Sequence, residues 1–158
     1  MFSSAVPITA VSASMLEALG LAESIVAAAP QAEITTQHTL FAGMYARTMK
    51  LPAGHVLVGA LVQVETIVVF DGDAEVFVGD STIRLTGNHV IAASAMRKQI
   101  YWAHADCYIT AVFVTDAKTV SEAEEQATQE HARLASRQAG NKNLILQKEE
   151  QACLSQQQ

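Results

Sequence analysis

Leu40-Phe41-Ala42-Gly43-Met44-Tyr45-Ala46-Arg47-Thr48-Met49 is the stretch whose period decides the fold class. Successive side chains of an extended strand point to opposite faces. Leu40, Ala42, Met44, Ala46 and Thr48 then share one face, and Phe41, Tyr45, Arg47 and Met49 the other. Leu51-Pro52-Ala53-Gly54 follows as a turn, with Pro fixing one backbone angle and Gly able to take positive φ. Working outward, β-rich runs recur at 55–62, 67–70, 74–78, 82–85, 89–92, 100–103 and 108–114. Asp71-Gly72-Asp73, Gly79-Asp80 and Thr86-Gly87-Asn88 separate them and read as turns. Many short strands punctuated by turns describe a β-sandwich or barrel, not alternating β and α units.

The chain has 158 residues, 50% of them apolar and 16% charged, which suits one folded domain and excludes disorder throughout. Ten Lys+Arg stand against 16 Asp+Glu, and the one adjacent basic pair of note is Arg97-Lys98. Binding to nucleic acid needs clustered cations, so no nucleic-acid partner is expected. The longest apolar candidate for a membrane span, residues 15–29, is interrupted by Glu17 and Glu23 and falls short of roughly 18 residues, so no membrane partner is expected either. No Lys or Arg precedes Arg47, and a secretory signal starts with basic residues. Cys107 and Cys153 make no disulfide framework, which points to a reducing, cytoplasmic setting.

Helical periodicity marks both flanks. Ser14 and Glu17 have capping-box spacing, and Met15, Leu19, Ala22 and Val26 recur on one helical face before Pro30. This helix either packs on its own core or docks on a neighbouring subunit. Thr119 with Glu122, or Ser121 with Glu124, opens a second helix. Its stripe runs through Val120, Ala123, Ala127, His131 and Leu134 and stops at Gly140-Asn141. Beyond it, Leu144-Ile145-Leu146 sits in a polar tail and needs a partner surface on the same core or another chain. The chain divides into residues 1–37 (lead and helix), 38–117 (β domain) and 118–158 (helix and polar tail). A β core of about eighty residues without disulfides is marginal alone, so a homo-oligomer is expected. Candidate interface residues are Met15, Leu19, Val26, Leu134, Leu144, Ile145 and Leu146. Trp102 joins them, since it and Tyr101 face opposite sides of a strand and one of the two must lie outside.

Leu51-Pro52-Ala53-Gly54, Gly59, then Glu65 followed by Gly72, resembles the first motif of the cupin family. Gly87, the strand at 89–92 and Ala95-Met96-Arg97-Lys98 resemble a worn second motif. The run from Tyr45-Ala46-Arg47 through Thr119-Val120-Ser121-Glu122-Ala123-Glu124 is further similar to small cupin-like proteins of unknown function encoded in bacteriophage genomes. The resemblance implies a mainly β, cupin-like jelly roll flanked by helical arms. Metal-binding family members carry two His and a Glu in the first motif and a third His in the second. The corresponding positions here are Val62, Glu65, Thr66 and Lys98, or Gln99 beside it, a degenerate site in which only Glu65 could ligate. No metal, cofactor or catalytic residue is therefore expected.

Other chemistry finds little footing. Five histidines lie far apart, with His131 read as packed against a backbone partner and His55 and His89 as exposed. Gly-x-Ser-x-Gly elbows and phosphate-binding glycine loops are missing. Glu65 is either an acid or base at the barrel mouth or a rim carboxylate paired with Arg47 or Lys98. Arg97-Lys98 is either a solvated loop or a site for a carboxylate, an anion or a neighbouring subunit. The resulting expectation is a non-catalytic assembly protein that partners itself and other subunits, in a virion if phage-encoded. The alternatives are a small-molecule-binding cupin module and a metal-independent cupin enzyme.

Overall fold

Two long strands, β4 (Thr66–Val78) and β5 (Ser81–Ala93), organise the molecule by pairing antiparallel from end to end. The computed structural model describes residues 7–78 and 81–147. Around the pair lie β1 (Thr35–Phe41), β2 (Met44–Leu51), β3 (Val56–Val58), β6 (Ile100–Ala103), β7 (Cys107–Val114) and β8 (Lys142–Gln147). Helix α1 (Ala13–Ala28) precedes the sheet, and α2 (Val120–Ala127) follows β7. The mainly β class with flanking helices is as expected.

Asp71-Gly72-Asp73 and Thr86-Gly87-Asn88 are not turns. Each lies inside a continuous 13-residue strand, and Gly72 stands opposite Gly87 in the ladder. Both glycines have positive φ, +143° and +80°, so the paired strands bend where a side chain would resist. The bend lets β4 change neighbours. Its first half, Ile67 to Asp71, pairs with β7, while Ala74 to Phe77 pair with β6. One half-sheet continues through β7, β2, β1 and β8, the other through β6 to β3, and together they make a curled half-barrel. The core at the fold line contains Val68, Phe70, Ala74, Val76, Tyr101, Ala103 and Cys107. Gly79-Asp80, read as a turn, lies outside the described residues.

The stretch 40–49 is a hairpin, not one strand. Ala42 and Gly43 have φ of +52° and +71°, as a two-residue primed turn requires. The reversal sets Leu40 opposite Tyr45, both buried, and Phe41 opposite Met44, both exposed. Simple alternation had put Leu40 and Tyr45 on opposite faces; the turn brings them to one, where Tyr45 meets the Phe113 ring edge-on at 5.3 Å.

The flanks differ in detail. The cap of α1 is Ser12, whose hydroxyl accepts from the Met15 amide, so the helix begins one residue before Ser14. The stripe of Met15, Leu19, Ala22 and Val26 is its less exposed side, with Leu19 buried in this chain. Thr119 caps α2 through the Glu122 amide, as its spacing suggested. That helix ends at Ala127, well before Gly140. Thr128 is extended and its hydroxyl accepts from the Glu130 amide, turning the chain out of the helix. Two 3-10 turns, His131–Arg133 and Ala135–Arg137, lead into β8, which lies parallel to β1.

The fold line yields the first expected outcome. A Cβ on Gly72 would lie 2.7 Å from Cys107 Sγ and 2.8 Å from the Asp106 carbonyl oxygen, whereas Gly87 has open space around it. Gly87→Ala should cost only the backbone strain of a positive φ, about 1 kcal/mol. Gly72→Ala adds a backbone clash and should lose at least twice that in denaturant melts; equal losses would show that the close approach at β7 does not matter.

Candidate functional site

The degenerate cupin positions each make contacts of their own. Val62 is half-buried and forms an isolated bridge with Arg97, its amide donating to the Arg97 carbonyl at 2.8 Å. Thr66 is buried, and its hydroxyl donates to the Val64 carbonyl at 3.0 Å. Glu65 is exposed, and the two rim cations take other carboxylates: Arg47 lies by Glu124, and Lys98 by Glu23 and Glu130. Glu65 borders an open groove of about 450 Å³ whose walls include Pro7, Met44, Ile67, Val112 and Val114.

Arg97 and Lys98 are not a solvated loop: they are 2% and 5% exposed. The Arg97 Nη1 donates to the Val64 and Ser94 carbonyls, both at 3.0 Å. Burial presses the Arg97 pKa downward, with the Coulombic effect of Tyr101 opposing it. Lys98 does bind carboxylates, but those of its own chain. Its Nζ lies 2.8 Å from Glu23 on α1 and 3.2 Å from Glu130 beyond α2. Arg133 joins the same two acids, at 2.9 Å to Glu23 and 3.6 Å to Glu130. Two cations and two carboxylates thus balance where α1 and the C-terminal segment meet over the sheet. Glu130 also accepts from the Leu61 amide at 2.5 Å. Burial works against its charge, but the Leu61 hydrogen bond and the neighbouring Lys98 and Arg133 prevail and hold its pKa below the ordinary 4.5.

Beside this cluster is a cavity of about 80 Å³, bounded by Glu23, Arg47, Met49, Leu57, Glu130 and Leu134. It has room for about two or three waters. Leu134, proposed for an interface, is therefore half-buried against its own chain.

A second polar network ties the C-terminal segment to β1 and β2, and sequence reading did not find it. His38 is 1% exposed, with Nδ1 2.7 Å from the Tyr45 hydroxyl and Nε2 2.8 Å from Asn143 Oδ1. The amide oxygen can only accept, so Nε2–H donates to it and the Tyr45 hydroxyl donates to Nδ1. Burial raises the Tyr45 pKa well above the usual phenol range, with Arg47 opposing and Glu124 adding to the shift. Glu124, 3% exposed, takes Arg137 at 2.7 Å and Ser136, with Arg47 at 4.0 Å. His131 accepts from the Arg137 guanidinium at 2.9 Å, so its partner is a side chain, not the backbone. The network's sequence signal is obscured because Glu124 and Arg137 fall 13 residues apart on a stripe that reads as one long helix.

Among the described residues, no three His, Cys, Asp or Glu side chains converge to hold a metal ion. Glu23 and Glu130 are taken by Lys98 and Arg133, and a divalent ion would have to displace the buried Lys98 ammonium as well as the exposed Arg133 guanidinium. These residues do not fit the metal that the cupin resemblance implies.

No family model and no curated protein matches the chain. Among solved structures it is similar to an ectoine synthase from P. lautus, at 16% identity and a TM-score of 0.47, over 63% of this chain and 76% of that one. It is similar to a cupin superfamily protein from Desulfitobacterium hafniense, at 11% identity and a TM-score of 0.45, over 58% and 88% of the two chains. A conserved protein of unknown function from Streptococcus pyogenes gives 15% identity and a TM-score of 0.44, over 56% and 79%. No residue role is carried over from any of them.

Two outcomes follow from the ion-pair cluster. Lys98→Met takes the buried cation from two partly buried carboxylates, leaving them to the exposed Arg133, and should cost about 2–4 kcal/mol in denaturant melts. Breaking the surface Arg84–Asp73 pair should cost clearly less; similar losses would refute a buried clamp. The depressed Glu130 pKa contributes stability that is present above the unfolded value of 4.5 and is lost as pH falls through the folded value. Glu130→Gln should therefore lower stability at pH 7 and flatten its decline below pH 4.5; an unchanged acid limb would contradict the assignment.

Proposed function

We propose that this chain is a non-catalytic, metal-free assembly protein that works through its outer surface as a homo-oligomer. A bacteriophage virion, capsid or tail, is the setting suggested by the sequence resemblance. The observation that carries the reading is an uncovered apolar face. On the outward side of the curled sheet, Ile67, Val69, Val90, Val114 and Met44 are 52%, 36%, 70%, 84% and 44% exposed. They are neighbours across the strands: Ile67 stands opposite Val112 on β7, Val69 opposite Val90 on β5, and Met44 opposite Val114. A contiguous apolar patch of this kind marks an interaction surface more often than scattered exposed aliphatics do. Trp102, 47% exposed on β6 with Tyr101 buried behind it, adds an aromatic anchor elsewhere on the surface.

The interior supports the same reading. The cavity of about 80 Å³ beside the ion-pair cluster leaves no room for a substrate-sized molecule. The open groove beside Glu65 is where a small ligand would go if the protein were a binding module, and its largely aliphatic walls offer few groups to orient one.

Analytical ultracentrifugation tests this reading. The wild-type protein should sediment as a multiple of its 16.9 kDa mass. Val69→Lys with Val90→Lys should lower that multiple while leaving the circular dichroism unchanged, because both side chains are exposed. A wild-type monomer at all concentrations would overturn the assembly reading.

A further inference from the structure

The most exposed aliphatic run lies on the edge strand. β8 ends one side of the sheet, and no described strand pairs its outer edge. All six of its residues are exposed, with Leu144, Ile145 and Leu146 at 56%, 56% and 58%. Apart from Lys142 at its start, the strand has none of the charges, prolines or bulges that usually protect an edge.

The backbone register specifies what can pair there. Lys142 donates its amide to the Ile34 carbonyl, and Lys142 stands beside Thr35 in the parallel ladder with β1. In a parallel pair, alternate residues turn both backbone groups toward the neighbouring strand. Lys142, Leu144 and Leu146 therefore face β1, while Asn143, Ile145 and Gln147 turn their N–H and C=O outward. An antiparallel partner must place its own outward-facing residues opposite these three to exchange paired hydrogen bonds.

We infer that β8 pairs antiparallel with β8 of a second copy of this chain, about a two-fold axis at Ile145. In that register Ile145 meets the partner's Ile145, Leu144 meets the partner's Leu146, and Asn143 meets the partner's Gln147. Apolar groups face apolar groups, polar groups face polar groups, and every outward backbone group meets another. Centring on Leu144 instead sets Lys142 against the partner's Leu146 and Asn143 against the partner's Ile145, losing that match. The strand is thus complementary to itself, which is what an isologous contact requires. Five paired residues from each copy fall short of a standard interface of roughly 1,600 Å², so the contact gives a concentration-dependent dimer. It rests on the assembly reading and specifies one contact within it.

Disulfide trapping tests the register. In a Cys153→Ser background, Ile145→Cys places two thiols across the axis with Cα atoms about 5.5 Å apart, within disulfide reach. Gln147→Cys faces the partner's Asn143, and its own counterpart lies several residues away. Under mild oxidation, Ile145→Cys should give a covalent dimer and Gln147→Cys should stay monomeric on denaturing gels, with both variants folded by circular dichroism. Equal trapping of the two, or trapping of Gln147→Cys alone, overturns the register. Trapping of neither, while the wild type still sediments as a multimer, overturns the edge contact and leaves the assembly reading standing. A monomeric wild type overturns both.

Discussion

The Lys98 ammonium is the interaction on which the closed form of this molecule depends. A buried ammonium is costly unless it is paired and hydrogen-bonded. Its partners, Glu23 and Glu130, come from opposite ends of the chain, so α1 and the segment beyond α2 are drawn to the same point on the sheet. Satisfying one charge thereby determines where both flanks lie. It also explains why α2 stops early: Glu130 must leave the helical path to reach Lys98 and the Leu61 amide.

That clamp has somewhere to act because the sheet curls. Gly72 and Gly87 stand opposite each other and let β4 and β5 bend together, giving β4 one set of neighbours before the fold and another after it. The His38–Tyr45–Asn143 chain then anchors the beginning of β8 against β1. These polar groups hold both flanking segments to the sheet. The exposed aliphatic surface lies outside, on the face around Ile67 and Val90 and along β8.

Much of this was legible in the sequence. Alternation located most strands, and Thr119 with Glu122 marked the start of α2 correctly. The same turn chemistry misled at Asp71-Gly72-Asp73 and Thr86-Gly87-Asn88, because a glycine that permits a reversal also permits a bend inside a strand. The Ala42-Gly43 turn went unread because alanine rarely takes positive φ. At the candidate site, the side chains of Val62, Thr66 and Lys98 are poor metal ligands by their chemistry alone. What Lys98 does instead was not legible, since Glu23 and Glu130 lie 75 and 32 residues away in sequence and only the fold brings them to it.

Lys98 and Arg133 hold Glu23 and Glu130 where α1 and the C-terminal segment meet over the sheet, and the proposed metal-free reading requires that no cation replaces them. The most direct measurement is nitrogen-15 NMR of the lysine side-chain ammonium groups, titrated with manganese(II). That reading expects a slowly exchanging Lys98 signal, coupled to carboxylate partners, that keeps its intensity through a stoichiometric addition of the ion. Loss of that one signal at one equivalent, with the exposed lysines unaffected, would show a cation entering among Glu23 and Glu130 and would contradict it.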